Sequence, residues 1–269
     1  MKWSGRSMWP TSIDDGILHE LSDIRNPSGK VISTSLLDLS KIGDRFRDRV
    51  VLVGGWGVYL WLIKHGLKAI PSIDIDLLAR KVDFSDLDSF LTKEMGYKSA
   101  GYRYTKAIAD EQIHAVKDRI NIDLLFDRKP SKLCFSTPYA KIIFQNRYYQ
   151  QDILKVEKNK IRVNVAYPEA ILVLKFDIYS GEDADEREKQ WKDMVDIYSL
   201  IMSMKELRKD IFRKLYSAKR YSVNGVVRFF QKKSNAQLKD VIHLITEYVG
   251  LPYDEREFLL RLKSINRYH

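Results

Sequence analysis

Between Val50 and Leu78 the chain runs Val50-Val51-Leu52-Val53-Gly54-Gly55-Trp56-Gly57, then an amphipathic spacer, then Ser72-Ile73-Asp74-Ile75-Asp76-Leu77-Leu78. Four apolar residues closed by two glycines read as a buried strand that turns sharply into a helix. In the second run the carboxylates stand at i and i+2. Side chains so spaced on a strand share one face, so Asp74 and Asp76 lie side by side while Ile73, Ile75 and Leu77 turn to the core. Adjacent anions repel unless a cation neutralises them, and hard carboxylate oxygens are the ligands that Mg²⁺ takes.

At a Gly-Gly turn between strand and helix, backbone N–H groups can approach a phosphate with no side chain in the way, so Gly54 and Gly55 are candidate phosphate binders. Phosphate cradle and paired acids together point to a nucleoside triphosphate bridged by Mg²⁺ or Mn²⁺. The arrangement resembles the nucleotidyltransferase superfamily of the DNA polymerase β type, whose signature is a hydrophobic residue, Gly, Gly or Ser, a spacer, and Asp-hydrophobic-Asp. Here it reads Val53-Gly54-Gly55, eighteen intervening residues, and Asp74-Ile75-Asp76. The spacer is longer than in the tightest members and suits the branch with a full helix between the halves, here Trp56 to His65 closed by Gly66.

A length of 269 residues with 45% apolar and 12% aromatic residues supports a real core in one or two domains. The single cysteine, Cys134, excludes an internal disulfide and a multi-thiolate zinc site, and fits a buried thiol in a reducing compartment. No apolar run has the length of a membrane span and the N-terminus has no signal-peptide core, so a cytoplasmic protein without membrane attachment is expected. The net charge of +10 is unevenly placed: residues 201–269 hold fifteen Lys/Arg against seven Asp/Glu. That imbalance suits a polyanionic partner, or equally a solvated basic helical surface.

The pattern predicts three regions: an N-terminal arm (1–30) with a helix over 12–24 and a turn at Asn26-Pro27-Ser28-Gly29, a central domain (31–202), and a basic helical region (203–269). In the central domain we expect helices over 35–47, 83–95, 138–146, 168–179 and 185–202. Strands are expected over 97–105, 112–116 and 119–127, with a hairpin over 153–165. The C-terminal region reads as helices over 205–218, 223–232, 235–248 and 254–264. Within Ile120-Asn121-Ile122-Asp123-Leu124-Leu125-Phe126, the carboxylate of Asp123 is costly to bury without a partner. In the superfamily a third carboxylate on a neighbouring strand completes the metal site, and Asp123 matches it.

Pro168-Glu169-Ala170-Ile171-Leu172-Val173-Leu174-Lys175 and Lys192-Asp193-Met194-Val195-Asp196 sharpen the likeness. They resemble the AbiEii-type nucleotidyltransferase toxins, in which a Pro-Glu-x-Leu-x-x-x-Lys helix precedes an Arg-containing loop and a Lys-Asp-x-x-Asp helix. The local sequence Glu186-Arg187-Glu188-Lys189 departs from the loop pattern. The likeness covers residues 48–202 and implies an α+β fold, a small mixed sheet flanked by helices, followed by a helical region. It further implies a metal site of Asp74, Asp76 and Asp123, catalysis by these with Lys175, and nucleotide contacts from Gly54, Gly55, Trp56, Ser72, Lys175 and Asp193.

Elementary chemistry offers plainer roles for several of these. A buried Lys175 needs an anion, either a triphosphate or Asp193 or Asp196. Trp56 can stack a base or pack the core. Asp193 can belong to the site or to a helix-surface ion pair.

The expected activity is transfer of a nucleoside monophosphate from an NTP to an acceptor, RNA or tRNA in a toxin-antitoxin setting with a cognate antitoxin protein. The basic, aromatic-interleaved stretch from Tyr216 to Lys233 suits a phosphate backbone. Alternatives are transfer to a small molecule or a protein side chain, or a non-catalytic binding module on the same fold.

Overall fold

The computed structural model describes residues 29–108, 119–156, 159–178, 187–221, 223–231 and 239–266, the last range without 241, 244, 245, 247 and 248. The expected helix over 12–24, the turn residues 26–28 and the strand over 112–116 lie outside the described residues.

Helix α1 (Gly29–Arg45) leads into strand β1 (Val50–Val53) and helix α2 (Gly54–Lys64), then β2 (Asp74–Ala79). A 3₁₀ turn and helix α3 (Phe84–Ser89) follow, and α3 widens into a π turn over Phe90–Glu94. Strands β3 (Lys98–Ala100), β4 (Arg103–Ala107), β5 (Arg119–Phe126) and β6 (Phe135–Ser136) precede helix α4 (Pro138–Asn146). The hairpin β7 (Tyr149–Val156) and β8 (Asn159–Ala166) then gives way to helices. These are α5 (Pro168–Ile178), α6 (Arg187–Ser203), α7 (Lys209–Ala218), α8 (Val223–Gln231) and α9 (Glu255–Asn266).

The eight strands among the described residues form one mixed sheet in the order β3-β4-β5-β2-β1-β8-β7, with β6 pairing on β5. Central β1 is antiparallel to β2 and parallel to β8, and β2 is parallel to β5. Helices cover both faces, which is why all four residues of β1 are buried apolar side chains. One face carries Val50, Leu52, Ile75, Leu77, Ile120, Ile122 and Leu124 against α1 and the α3 segment. The other carries Val51, Val53 and Leu78 against α4 to α9. That second core is continuous from Val51 to Ile265, so the C-terminal helices pack on the same sheet as the Gly-Gly turn.

Several boundaries differ from expectation for local reasons. Val53 is still extended (φ −132°, ψ −159°), and the chain turns at Gly54, whose φ of +60° a side-chain-bearing residue rarely adopts. Thus α2 begins at the glycines rather than at Trp56. It ends as expected, with Gly66 at φ +75°. The stretch 97–105 is a hairpin turned by Gly101 at φ +80° rather than a continuous strand. Among the described residues no helix is long and apolar enough to cross a membrane, and Cys134 is a buried free thiol.

Candidate active site

Sheet register assembles the acids. Antiparallel pairing sets Asp76 opposite Val53, the last residue before the glycine turn. Parallel pairing of β2 with β5 sets Asp76 beside Asp123 and Asp74 beside Asn121, and antiparallel β4 adds Arg103 beside Asp123 and Thr105 beside Asn121. Two rows of polar side chains therefore run across β2, β5 and β4: Asp76, Asp123, Arg103, and one step away Asp74, Asn121, Thr105. All share one face, because residues two apart on a strand point the same way, while the intervening Ile75, Ile122 and Tyr104 are fully buried on the other.

Within the rows the partners are specific. The Arg103 guanidinium donates from Nε to Asp123 Oδ1 at 2.8 Å and from Nη2 to Asp123 Oδ2 at 2.7 Å, a bidentate charge-assisted pair. The Asp123 hydrogen bond outweighs burial and raises the Arg103 pKa. Asn121 Nδ2 donates to Asp74 Oδ1 at 2.9 Å, and Thr105 Oγ1 donates to Asn121 Oδ1 at 3.0 Å, which fixes the Asn121 amide with its nitrogen toward Asp74.

Asp76 faces the turn itself. A Cβ on Gly54 would overlap the Asp76 carboxylate, so glycine is required there both for its φ and for that close approach. At Gly55 a Cβ would lie 2.6 Å from Lys192 Nζ and 2.8 Å from Ser72 Oγ. A cation and a hydroxyl from two distant parts of the chain thus meet on the second glycine. Helix α2 starts here with no side-chain cap on its first N–H groups. A helix start of this kind, with a lysine beside it, favours an anion such as phosphate.

Behind Lys192 is a buried charge cluster. Lys175, buried on α5, lies 2.6 Å from Asp193 Oδ1 and 2.9 Å from Asp196 Oδ2, both on α6, and Lys192 lies 3.1 Å from the same Asp196 oxygen. Burial opposes the charge on Asp196, but Lys175 and Lys192 outweigh it and lower its pKa. Burial likewise opposes the Lys175 charge, and Asp193 and Asp196 outweigh it and raise its pKa. Of the two anions open to Lys175 by sequence, the structure supplies the carboxylates. Asp193 is buried and meets Lys175 in the interior, so of the two roles open to it by sequence the helix-surface ion pair does not occur.

The structure thus brings Gly54, Gly55, Ser72, Asp74, Asp76 and Asp123 to one end and face of the sheet, and sets Lys175 and Asp193 behind Lys192. Trp56 points elsewhere: it is fully buried in the core of the opposite face, edge-on to Tyr59 with ring centroids 5.1 Å apart, and offers no open ring face to a base. Three further side chains that the structure brings to these rows and to the turn were not singled out from the sequence. Lys192 was visible as the first residue of Lys-Asp-x-x-Asp, and Asn121 as the second polar residue of an apolar strand. Arg103 carried no signal, because only the pairing of β4 with β5 opposes it to Asp123.

The donor chemistry suits one divalent ion. Asp74 and Asp76, half-buried on one face, would serve as the pair of carboxylates that an Mg²⁺ ion takes when other oxygens complete its shell. Asp123 has both oxygens on Arg103, and among the described residues no three His, Cys, Asp or Glu side chains gather into a metal-binding group.

No family model matches the chain. No curated protein matches it. Among solved structures it is similar to an antigenic nucleotidyltransferase-like protein from Paracoccidioides brasiliensis, at 14% identity and a TM-score of 0.48, over 79% of this chain and 94% of that one.

Proposed function

We propose that the protein is a nucleotidyltransferase that moves a nucleoside monophosphate from an NTP to an acceptor. The reading is carried by one observation: the uncapped start of α2, the Lys192 ammonium and the Asp76 carboxylate meet around Gly54 and Gly55. Anion-binding and cation-binding groups placed this close suit a ligand that carries both, such as a metal-bound triphosphate.

On this reading the phosphates sit on the glycine turn, accepting from the first backbone N–H groups of α2, from Lys192 and from the Ser72 hydroxyl. Lys192 neutralises charge on the departing pyrophosphate. Lys175 acts one step back: it holds Asp196, and Asp196 in turn steadies Lys192. Asn121 keeps Asp74 turned to one side of the row. A Mg²⁺ or Mn²⁺ ion on Asp74 and Asp76 would neutralise the phosphates and lower the pKa of an attacking hydroxyl.

For the acceptor we propose RNA or tRNA, with a role of the toxin-antitoxin kind. The support is charge: Arg213, Lys214, Arg220 and Arg228 are exposed on the C-terminal helices and the turn between them. The aromatics interleaved in that stretch are not all open to a partner. Tyr221 and Phe230 are buried in the core, and Lys232 and Lys233 lie outside the described residues.

The test is incubation with each α-labelled NTP, Mg²⁺ and total RNA, comparing the wild type with Asp76→Ala. Label should enter an RNA fraction with the wild type and not with the variant. Transfer at an undiminished rate by a folded Asp76→Ala protein would overturn the assignment.

A further inference from the structure

Arg103 engages the whole carboxylate of Asp123. Both carboxylate oxygens are taken, at 2.8 Å and 2.7 Å, by a guanidinium set directly opposite by strand register, and the Asp123 side chain is only 15% exposed. A planar fork matched to a carboxylate in this way neutralises it and takes a lone pair of each oxygen, so a divalent ion on the same oxygens must either lie beside a fixed positive charge or displace the arginine. Displacement would leave a partly buried carboxylate and a guanidinium unpaired, a costly exchange. Asp74 is held differently, through a single oxygen and by a neutral amide.

We propose that Arg103 is a built-in cation that reserves Asp123, so that the site takes one divalent ion, on Asp74 and Asp76, where three accessible carboxylates would take two. Arg103 is then a positioning residue. It holds a fixed positive charge two strands away from Asp76, on the face where the phosphates would lie, and its side chain is 37% exposed, enough to meet an incoming anion. The inference rests on the metal-bound triphosphate reading above and adds the stoichiometry of the ion and the identity of the group standing in for the second.

The experiment is titration of the full-length protein with Mn²⁺ alone, counting bound ions by the loss of the free-Mn²⁺ electron paramagnetic resonance signal. The wild type should bind one ion, and Arg103→Gln two. Asp123→Asn should still bind one with affinity changed less than about threefold, whereas Asp74→Asn should weaken that ion by about tenfold or more. Thermal unfolding checks that each variant is folded, and Asp123→Asn decides the matter should Arg103→Gln fail to fold. Two ions on the wild type, a single ion on folded Arg103→Gln, or an Asp123→Asn protein that loses its ion would each overturn the role of Arg103 and leave the transferase reading standing. A wild type that binds no Mn²⁺ would overturn the metal site and this inference together.

Discussion

Lys175 and Lys192 share an oxygen of Asp196, yet their surroundings give them opposite jobs. The Lys175 side chain is 6% exposed and enclosed by two carboxylates, while that of Lys192 is 25% exposed and reaches the glycine turn. Replacing Lys175 by Met takes the cation from buried Asp193 and leaves buried Asp196 with Lys192 alone. Breaking such a cluster costs roughly 3–5 kcal/mol, which thermal or denaturant unfolding will show as a large drop in stability. The Lys192→Met change removes a partly exposed cation and should cost no more than about 1 kcal/mol, while NTP affinity in equilibrium dialysis falls at least tenfold. Unchanged NTP affinity would remove Lys192 from the site. Gly54→Ala should fail twice. The left-handed backbone alone costs about 1–2 kcal/mol, and the new methyl displaces the Asp76 carboxylate, so activity falls further than stability.

At the scale of elements, the join between α5 and α6 gives a pH dependence with a definite sign. The folded-state pKa of Asp196 is depressed from an ordinary value of 3.8 because Lys175 and Lys192 outweigh its burial. Below that value the unfolded chain takes up a proton that the folded chain refuses. The contribution is therefore complete above about pH 4 and is lost as pH falls through the folded value. Asp196→Asn should flatten this acid limb in urea melts taken from pH 5 to pH 2.5, and a limb of unchanged slope would show that other groups govern it. Strand pairing matters in the same way for the acids. A one-residue slip of β5 against β2 would send Asp123 to the opposite face and bring Ile122 or Leu124 into the row, so the apolar faces that fix register also fix the site.

Over the whole molecule, the basic C-terminal helices are part of the core that supports the turn. Arg261 of α9 donates from Nη1 to the carbonyls of Ile201 at 3.1 Å and Met204 at 2.6 Å, closing the end of α6, the helix that carries Lys192, Asp193 and Asp196. Glu169, buried at the start of α5, accepts from the Arg208 backbone N–H at 2.9 Å and so anchors the entry to α7. Phe212, Phe230 and Phe258 are fully buried in the same cluster as Val53 and Met194. A chain ended at residue 203 should lose cooperative unfolding in calorimetry and expose apolar surface to a reporter dye. A truncated protein that melts as sharply as the full chain would show that the central region stands alone.

By itself the sequence determined the strand, glycine turn and paired acids, because alternation, glycine and apolar runs are local signals that set which face a side chain takes. It also led to Asp123, since one carboxylate in an apolar strand demands a partner, and it named both kinds of anion that could satisfy Lys175. Only the tertiary structure decided who the partners are. Arg103 meets Asp123 across an antiparallel pair, Lys192 meets Gly55 across 137 residues of chain, and Trp56 turns into the far core. Such meetings depend on strand order and helix packing, which arise from the summed burial of two cores and leave no mark at any single position.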